Sequence, residues 1–127
     1  MPLVTITTRA GKTSSWKRAV LDGVHNALVA SGVPEADRFQ RVIELGEDEF
    51  VFDARYPDAA TARTADFVLI ELLWSVGRSV KVKRKLLSDL TAALRESPGL
   101  DPENVMLVFK ETQWENWSFA GGRIIHA

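Results

Sequence analysis

The sequence predicts an α/β (α+β) fold: two βαβ units in tandem, forming one four-stranded mixed sheet with two helices on one face. Three observations predict it. A strand-like run, a helical stretch and a second strand-like run occur in the first half and return in the second. The two strand-to-helix joints are alike, Ala10-Gly11-Lys12-Thr13 and Val76-Gly77-Arg78-Ser79. Each helical stretch meets a Gly/Pro stop, Gly32 with Pro34 and Pro98 with Gly99.

Residues 3–8 are rich in β-branched side chains and read as a strand, which Gly11 breaks. Thr13 and Ser14 are N-cap candidates for a helix running to about Ser31. Trp16, Val20, Val24, Ala27 and Leu28 recur at helical spacing and form its buried stripe. A second strand follows at 38–45, with Phe39, Ile43 and Leu45 on one face. The run Phe67-Val68-Leu69-Ile70-Glu71-Leu72-Leu73 is nearly all apolar, as expected of a central strand buried on both faces. Ser79 caps a helix to about Arg95, with Val82, Leu86, Leu90, Ala93 and Leu94 inward, and residues 104–110 form the last strand. With a right-handed crossover in each half, both helices cover the same sheet face. The other face should be apolar and bare, so it predicts burial against another subunit.

The 127 residues suit one domain with its own core. Its parts are a first half at about 2–45, a linker at 46–65, a second half at 66–110 and an aromatic tail at 111–127. In the linker, Phe50-Val51-Phe52 is a candidate short strand and Tyr56-Pro57-Asp58 a turn. A net charge of -1 gives no electrostatic case for nucleic acid. There is no cysteine, which removes disulfides, thiolate metal sites and cysteine nucleophiles. No basic n-region precedes an apolar run, and no run is long enough to span a membrane, so a cytoplasmic location is expected. Asn116-Trp117-Ser118 matches a glycosylation sequon, which carries no weight without a secretion signal.

Chemistry starts at Pro2, which follows Met1 and leads into the first strand. Removal of Met1 would leave Pro2 with a free secondary amine. Free amino termini titrate at roughly 7.7–8.0, so burial or a nearby cation can make this one a base at neutral pH. A structural reading also exists, since proline is tolerated as the first residue of a strand. Arg78 sits where a central strand gives way to a helix, a place suited to bidentate pairing with a carboxylate. Asp37 opens the second strand, near where the first begins, and could hold a water or exchange a proton. Trp114, Trp117 and Phe119 crowd the tail, and aromatics beside a terminal amine would exclude water. Lys81, Lys83, Arg84 and Lys85 set four cations at a helix start, which is either an anion-steering rim or a solvated face. Gly11-Lys12-Thr13 fails as a phosphate-binding loop because Ile6 occupies the first glycine position. His25 and His126 stand apart, so no metal is expected.

Pro2 at a strand start, the doubled βαβ unit, Gly77-Arg78-Ser79, residues Val33-Pro34-Glu35-Ala36-Asp37-Arg38-Phe39-Gln40 and the tail Glu115-Asn116-Trp117-Ser118-Phe119-Ala120-Gly121-Gly122 together resemble the tautomerase superfamily. Within it they are most similar to the malonate semialdehyde decarboxylase-like branch, of the 4-oxalocrotonate tautomerase type. The resemblance runs over essentially the whole chain. It implies a homotrimer with a proline at the base of each pocket. It also implies Pro2 as catalytic proline, Asp37 as the site carboxylate and Arg78 as the substrate-binding arginine. Trp117 and Phe119 match tail aromatics near the proline, and Trp114 and Phe39 join the expected pocket wall. The chain departs from the decarboxylase pattern at Val76, where an arginine stands, and at Phe39, where a tyrosine stands.

The expected activity is therefore that of a cofactor-free tautomerase or isomerase acting on a small carboxylate-bearing keto or enol acid. Neutral Pro2 would serve as general base and Arg78 would hold the carboxylate or enolate charge. One alternative is a decarboxylase or hydratase of a short 3-oxo acid such as malonate semialdehyde, with a cationic proline. Another, motivated by Val76, is a non-catalytic trimeric ligand-binding protein.

Overall fold

The computed structural model describes residues 2–125. The expectations for Met1 and His126 lie outside the described residues. The first unit comprises β1 (Leu3–Arg9), α1 (Ser14–Ala30) and β2 (Phe39–Leu45); the second comprises β3 (Val68–Ser75), α2 (Val80–Glu96) and β4 (Val105–Thr112). Strand order is β2-β1-β3-β4. The outer pairs β1–β2 and β3–β4 are parallel, and the central pair β1–β3 is antiparallel. The α/β (α+β) fold with tandem βαβ units and a mixed four-stranded sheet is thus the one the sequence predicts.

The two halves are built alike at atomic detail. Each joint turns on a glycine at positive φ, Gly11 at 107° and Gly77 at 120°, a conformation that side chains with a Cβ avoid. Each helix then starts at a hydroxyl cap. Thr13 Oγ1 accepts the Trp16 N–H at 3.1 Å, and Ser79 Oγ accepts the Val82 N–H at 3.2 Å. Such caps satisfy one of the donors a helix start leaves open.

Alternate residues of the central strands (Val4 and Ile6; Val68, Ile70, Leu72 and Trp74) pack beneath both helices, and α1 and α2 also touch each other. Gly23 lies at that crossing. A Cβ there would sit 2.9 Å from Leu94 Cδ2 and 3.7 Å from Ala93 Cβ. Replacing a mid-helix glycine by alanine ordinarily gains about 1 kcal/mol. Leu94 is fully buried and cannot swing aside into solvent, so overpacking of about 1–3 kcal/mol opposes that gain. Gly23→Ala is therefore expected to destabilise the protein by about 1 kcal/mol, read as a lower denaturant midpoint at unchanged slope.

Three expectations need correction. Within the single chain β3 is covered on one face only: Leu69, Glu71 and Leu73 are only partly buried, because the helices lie on one side. Nor is the uncovered face simply apolar. Phe39, Ile43, Met106 and Val108 are exposed there, yet a polar row crosses it. Arg41 Nε donates to Thr5 Oγ1 at 2.9 Å, and Lys110 pairs with Glu71. Finally, Phe50-Val51-Phe52 forms no strand. Phe50, Phe52 and Phe67 cluster instead, with Phe52 and Phe67 centroids 4.4 Å apart. Arg9 ties the cluster to the sheet by donating to the Phe50 carbonyl and lying 4.5 Å over Phe52. The following turn is held by Asp53, whose carboxylate accepts the Arg55 and Tyr56 N–H groups. These bonds keep its carboxyl below the usual carboxylate range.

Candidate active site

The site grows from the start of β1. Pro2 is buried, and the strand register shows what surrounds it. Leu3 pairs with Leu73 of β3 and with Phe39 of β2. One step further along the same registers, Pro2 falls level with Trp74 on one side and Arg38 on the other, and Asp37 lies just beyond. The chain start, the end of β3 and the beginning of β2 thus converge on one corner of the sheet.

The tail covers that corner. β4 leads into a single 3-10 turn, Trp114–Asn116, fastened by the Asn116 amide donating to Thr112 Oγ1 at 2.7 Å. Positive φ at Gly121 and Gly122 then reverses the chain, and the Ile125 N–H reaches the Trp117 carbonyl at 3.0 Å. This loop lays Phe119 against Phe39, centroids 5.2 Å apart, with Trp117 stacked on Phe119 at 5.6 Å and 7°. Between these groups lies a cavity of about 210 Å³ lined by Pro2, Leu3, Phe39, Trp117, Ser118 and Phe119. The Trp117 indole N–H is buried and has no acceptor among the described residues.

Of the residues singled out in the sequence, the structure brings Pro2, Phe39, Trp117 and Phe119 to one cavity. Trp114 is not part of its wall; it sits exposed in the 3-10 turn. Neither Asp37 nor Arg78 lines the cavity in the single chain; both stand half-buried at the same corner. Asp37 is carried by a turn in which its own N–H bonds to the Pro34 carbonyl at 3.0 Å. The turn is pinned from α1 by buried His25, whose Nε2 donates to the Glu35 carbonyl at 2.8 Å. His25 thus has a structural post that spacing alone did not suggest. Among the described residues, no group of three or more His, Asp or Glu is placed to hold a metal ion.

Arg78 leaves the Gly77 joint and folds back over the end of β3. Its guanidinium lies 4.1 Å from the Trp74 ring centroid, and Nη1 donates to the Ser75 carbonyl at 2.9 Å. Burial draws its pKa below the usual arginine value, against the opposing pull of Glu111; it stays a cation at neutral pH. Much of the charge at the α2 start is otherwise engaged: Lys83 pairs with Glu111 at 3.1 Å and Lys85 with Asp89 at 2.6 Å. That favours the solvated, paired reading of this basic run over a steering rim. The sequence pattern missed Trp74, Leu3 and Ser118. Trp74 had a usable signal, since it precedes Arg78 by four residues across a tight glycine joint.

Comparison with known proteins places this fold in a family. A family model described as tautomerase enzyme matches residues 37–120. The probable tautomerase YusQ of Bacillus subtilis (strain 168) is 27% identical over 124 residues, spanning 97% of this chain and 96% of its own. A malonate semialdehyde decarboxylase, solved to explain its decarboxylase and hydratase activities, superposes with a TM-score of 0.89 at 29% identity, covering 96% of this chain and 93% of its own. The FG41 malonate semialdehyde decarboxylase, solved with the inhibitor 3-bromopropiolate, gives a TM-score of 0.88 at 25% identity over 96% and 92% of the two chains. Among the described residues, no helix is long and apolar enough to cross a membrane. With the doubled βαβ sheet, the buried proline and the aromatic tail closing over it, the chain belongs to the tautomerase superfamily of enzymes, in its malonate semialdehyde decarboxylase-like branch.

Proposed function

We propose that this enzyme is a cofactor-free isomerase of small keto or enol carboxylic acids, with Pro2 as its general base. The observation that carries the reading is the placement of Pro2 on the wall of an aromatic cavity of about 210 Å³. At roughly 30 Å³ per water, that space holds about seven water molecules' volume, which suits a small acid. An unprotonated Pro2 nitrogen takes a proton from the carbon beside the carbonyl, and the resulting ammonium returns it to another carbon of the enolate. The apolar walls favour the neutral amine by desolvation. Arg78 receives the carboxylate or the developing enolate charge, and Asp37 orients substrate or water. This chemistry needs a free Pro2 nitrogen and hence removal of Met1.

The exposed Phe39, Ile43, Met106 and Val108 on the uncovered sheet face support assembly with further copies of the chain, a trimer by family resemblance. Assembly would also bring neighbouring surfaces to the open side of the cavity.

Decarboxylation or hydration of a short 3-oxo acid is the second reading, favoured by the 29% identity to malonate semialdehyde decarboxylase. Val76 and Phe39, where that enzyme type has arginine and tyrosine, weigh against it. The two readings require opposite charge on the amine. Titration of the Pro2 nitrogen by NMR should give a pKa below neutrality for the base. A value well above neutrality, with borohydride trapping of an imine on a 3-oxo acid, would establish the second reading instead. Turnover of enol acids is expected in the wild type; its absence across enol and 3-oxo acids alike would overturn both.

A further inference from the structure

We propose that Trp74 is the positioning residue that aims the Arg78 guanidinium at a substrate carboxylate, holding its side-on edge, Nε with Nη2, open as a two-pronged donor. The proposal rests on Arg78 as the carboxylate-binding group, as argued above.

Four observations carry it. The guanidinium carbon lies 4.1 Å from the centroid of the indole ring, inside the range where a cation is attracted to an aromatic face. The ring itself cannot drift: Trp74 is fully buried and stacks on Phe109 at 5.3 Å and 16°. The second anchor, the Ser75 carbonyl, takes only Nη1. Among the described residues, Nε and Nη2 have no hydrogen-bond acceptor, and no carboxylate forms an ion pair with Arg78. An arginine fork with one nitrogen tethered and the adjacent pair free has the geometry that binds a carboxylate through two parallel bonds.

Register adds the fourth. Trp74 falls level with Pro2 across the β1–β3 pairing. One side chain therefore sets the height of the cation relative to the base. A flexible arginine on a glycine joint has many rotamers, and the indole face selects among them. The alternative is that Trp74 is merely a large core residue that Arg78 happens to cover. The two accounts diverge when the aromatic face is removed and bulk retained.

Kinetics with the enol of phenylpyruvate and with its methyl ester would separate them, using wild type, Trp74→Leu, Trp74→Phe and Arg78→Ala. The ester keeps the reacting carbons and lacks the anion. Trp74→Leu should raise KM for the acid by about 3–10-fold, the span expected for loss of a partly desolvated cation–aromatic contact, with little change for the ester. Trp74→Phe, which keeps a ring, should restore most of the loss. In an Arg78→Ala background, Trp74→Leu should have no further effect on the acid. Equal losses on acid and ester, or the same Trp74→Leu effect with and without Arg78, would overturn the proposal. Should Trp74→Leu fail to fold, Trp74→Met, which lacks a ring but fills more of the space, takes its place in the same cycle. The Arg78→Ala arm reports on the underlying reading: if that variant does not discriminate acid from ester, carboxylate binding by Arg78 is wrong. If it does discriminate and the Trp74 variants do not, only the positioning role falls.

Discussion

Pro2→Ala is expected to lower kcat/KM for an enol acid by about 10²–10⁴-fold, the contribution typical of one well-placed general base. The variant should leave the sheet intact, because the buried ring of Pro2 precedes the first paired residue, Leu3, and no β-ladder hydrogen bond depends on it. The loss should therefore fall on the chemical step, with an unchanged far-ultraviolet spectrum. Alanine still offers a terminal amine, so residual activity is expected, from a primary nitrogen that is less rigidly aimed. The pH profile supplies the sign. A base must be unprotonated, so wild-type kcat/KM should rise with pH through the pKa of the amine and level off above it. A profile that falls over that range would mark the protonated amine as the working form, and with it the decarboxylase or hydratase reading.

The second large effect belongs to Arg78→Ala. Removing a preorganised donor from a developing anion costs about 10²–10³-fold in kcat, and loss of ground-state carboxylate pairing adds to KM. Arg78→Lys should recover little, because an ammonium cannot present two parallel N–H donors. The measurement is the comparison of kcat and KM for both variants on the same acid. A lysine variant near wild type would show that charge alone matters and would remove the two-pronged geometry from the account.

Most of the fold was legible because hydrophobic period and punctuation agree in both halves. Thr13 and Ser79 read as caps and serve as caps; Val20, Val24 and Leu28 read as a stripe and are buried. The apolar run at 67–73 misled on coverage: Leu69 and Leu73 are as apolar as Ile70 and Leu72, yet they lie on the face away from the two helices, whose shared side the right-handed crossovers did predict. The run at Phe50–Phe52 has strand-like side chains, but these residues meet Phe67 rather than a strand edge. In the site, Pro2, Phe39, Trp117 and Phe119 could be named from sequence and do share a cavity. Trp114 could not be told from Trp117 by type, since only the turn between them sends one inward. Asp37 and Arg78 were legible as candidates, but neither lines the cavity in the single chain, and their place at its corner depends on three chain segments meeting there.

The matching joints of the two halves have unlike fates. At Gly77 the following cation, Arg78, keeps its outer edge open, whereas at Gly11 the equivalent cation, Lys12, is paired with Asp66 and lies 5.1 Å over Trp16. The chain start reaches only the first of these corners. A pseudo-dyad would ordinarily offer two equivalent docking points per polypeptide. On the proposed function, neutralising one of them with Asp66, just ahead of β3, leaves one acid bound per chain, and an assembly of such chains would hold as many occupied sites as subunits, not twice that number.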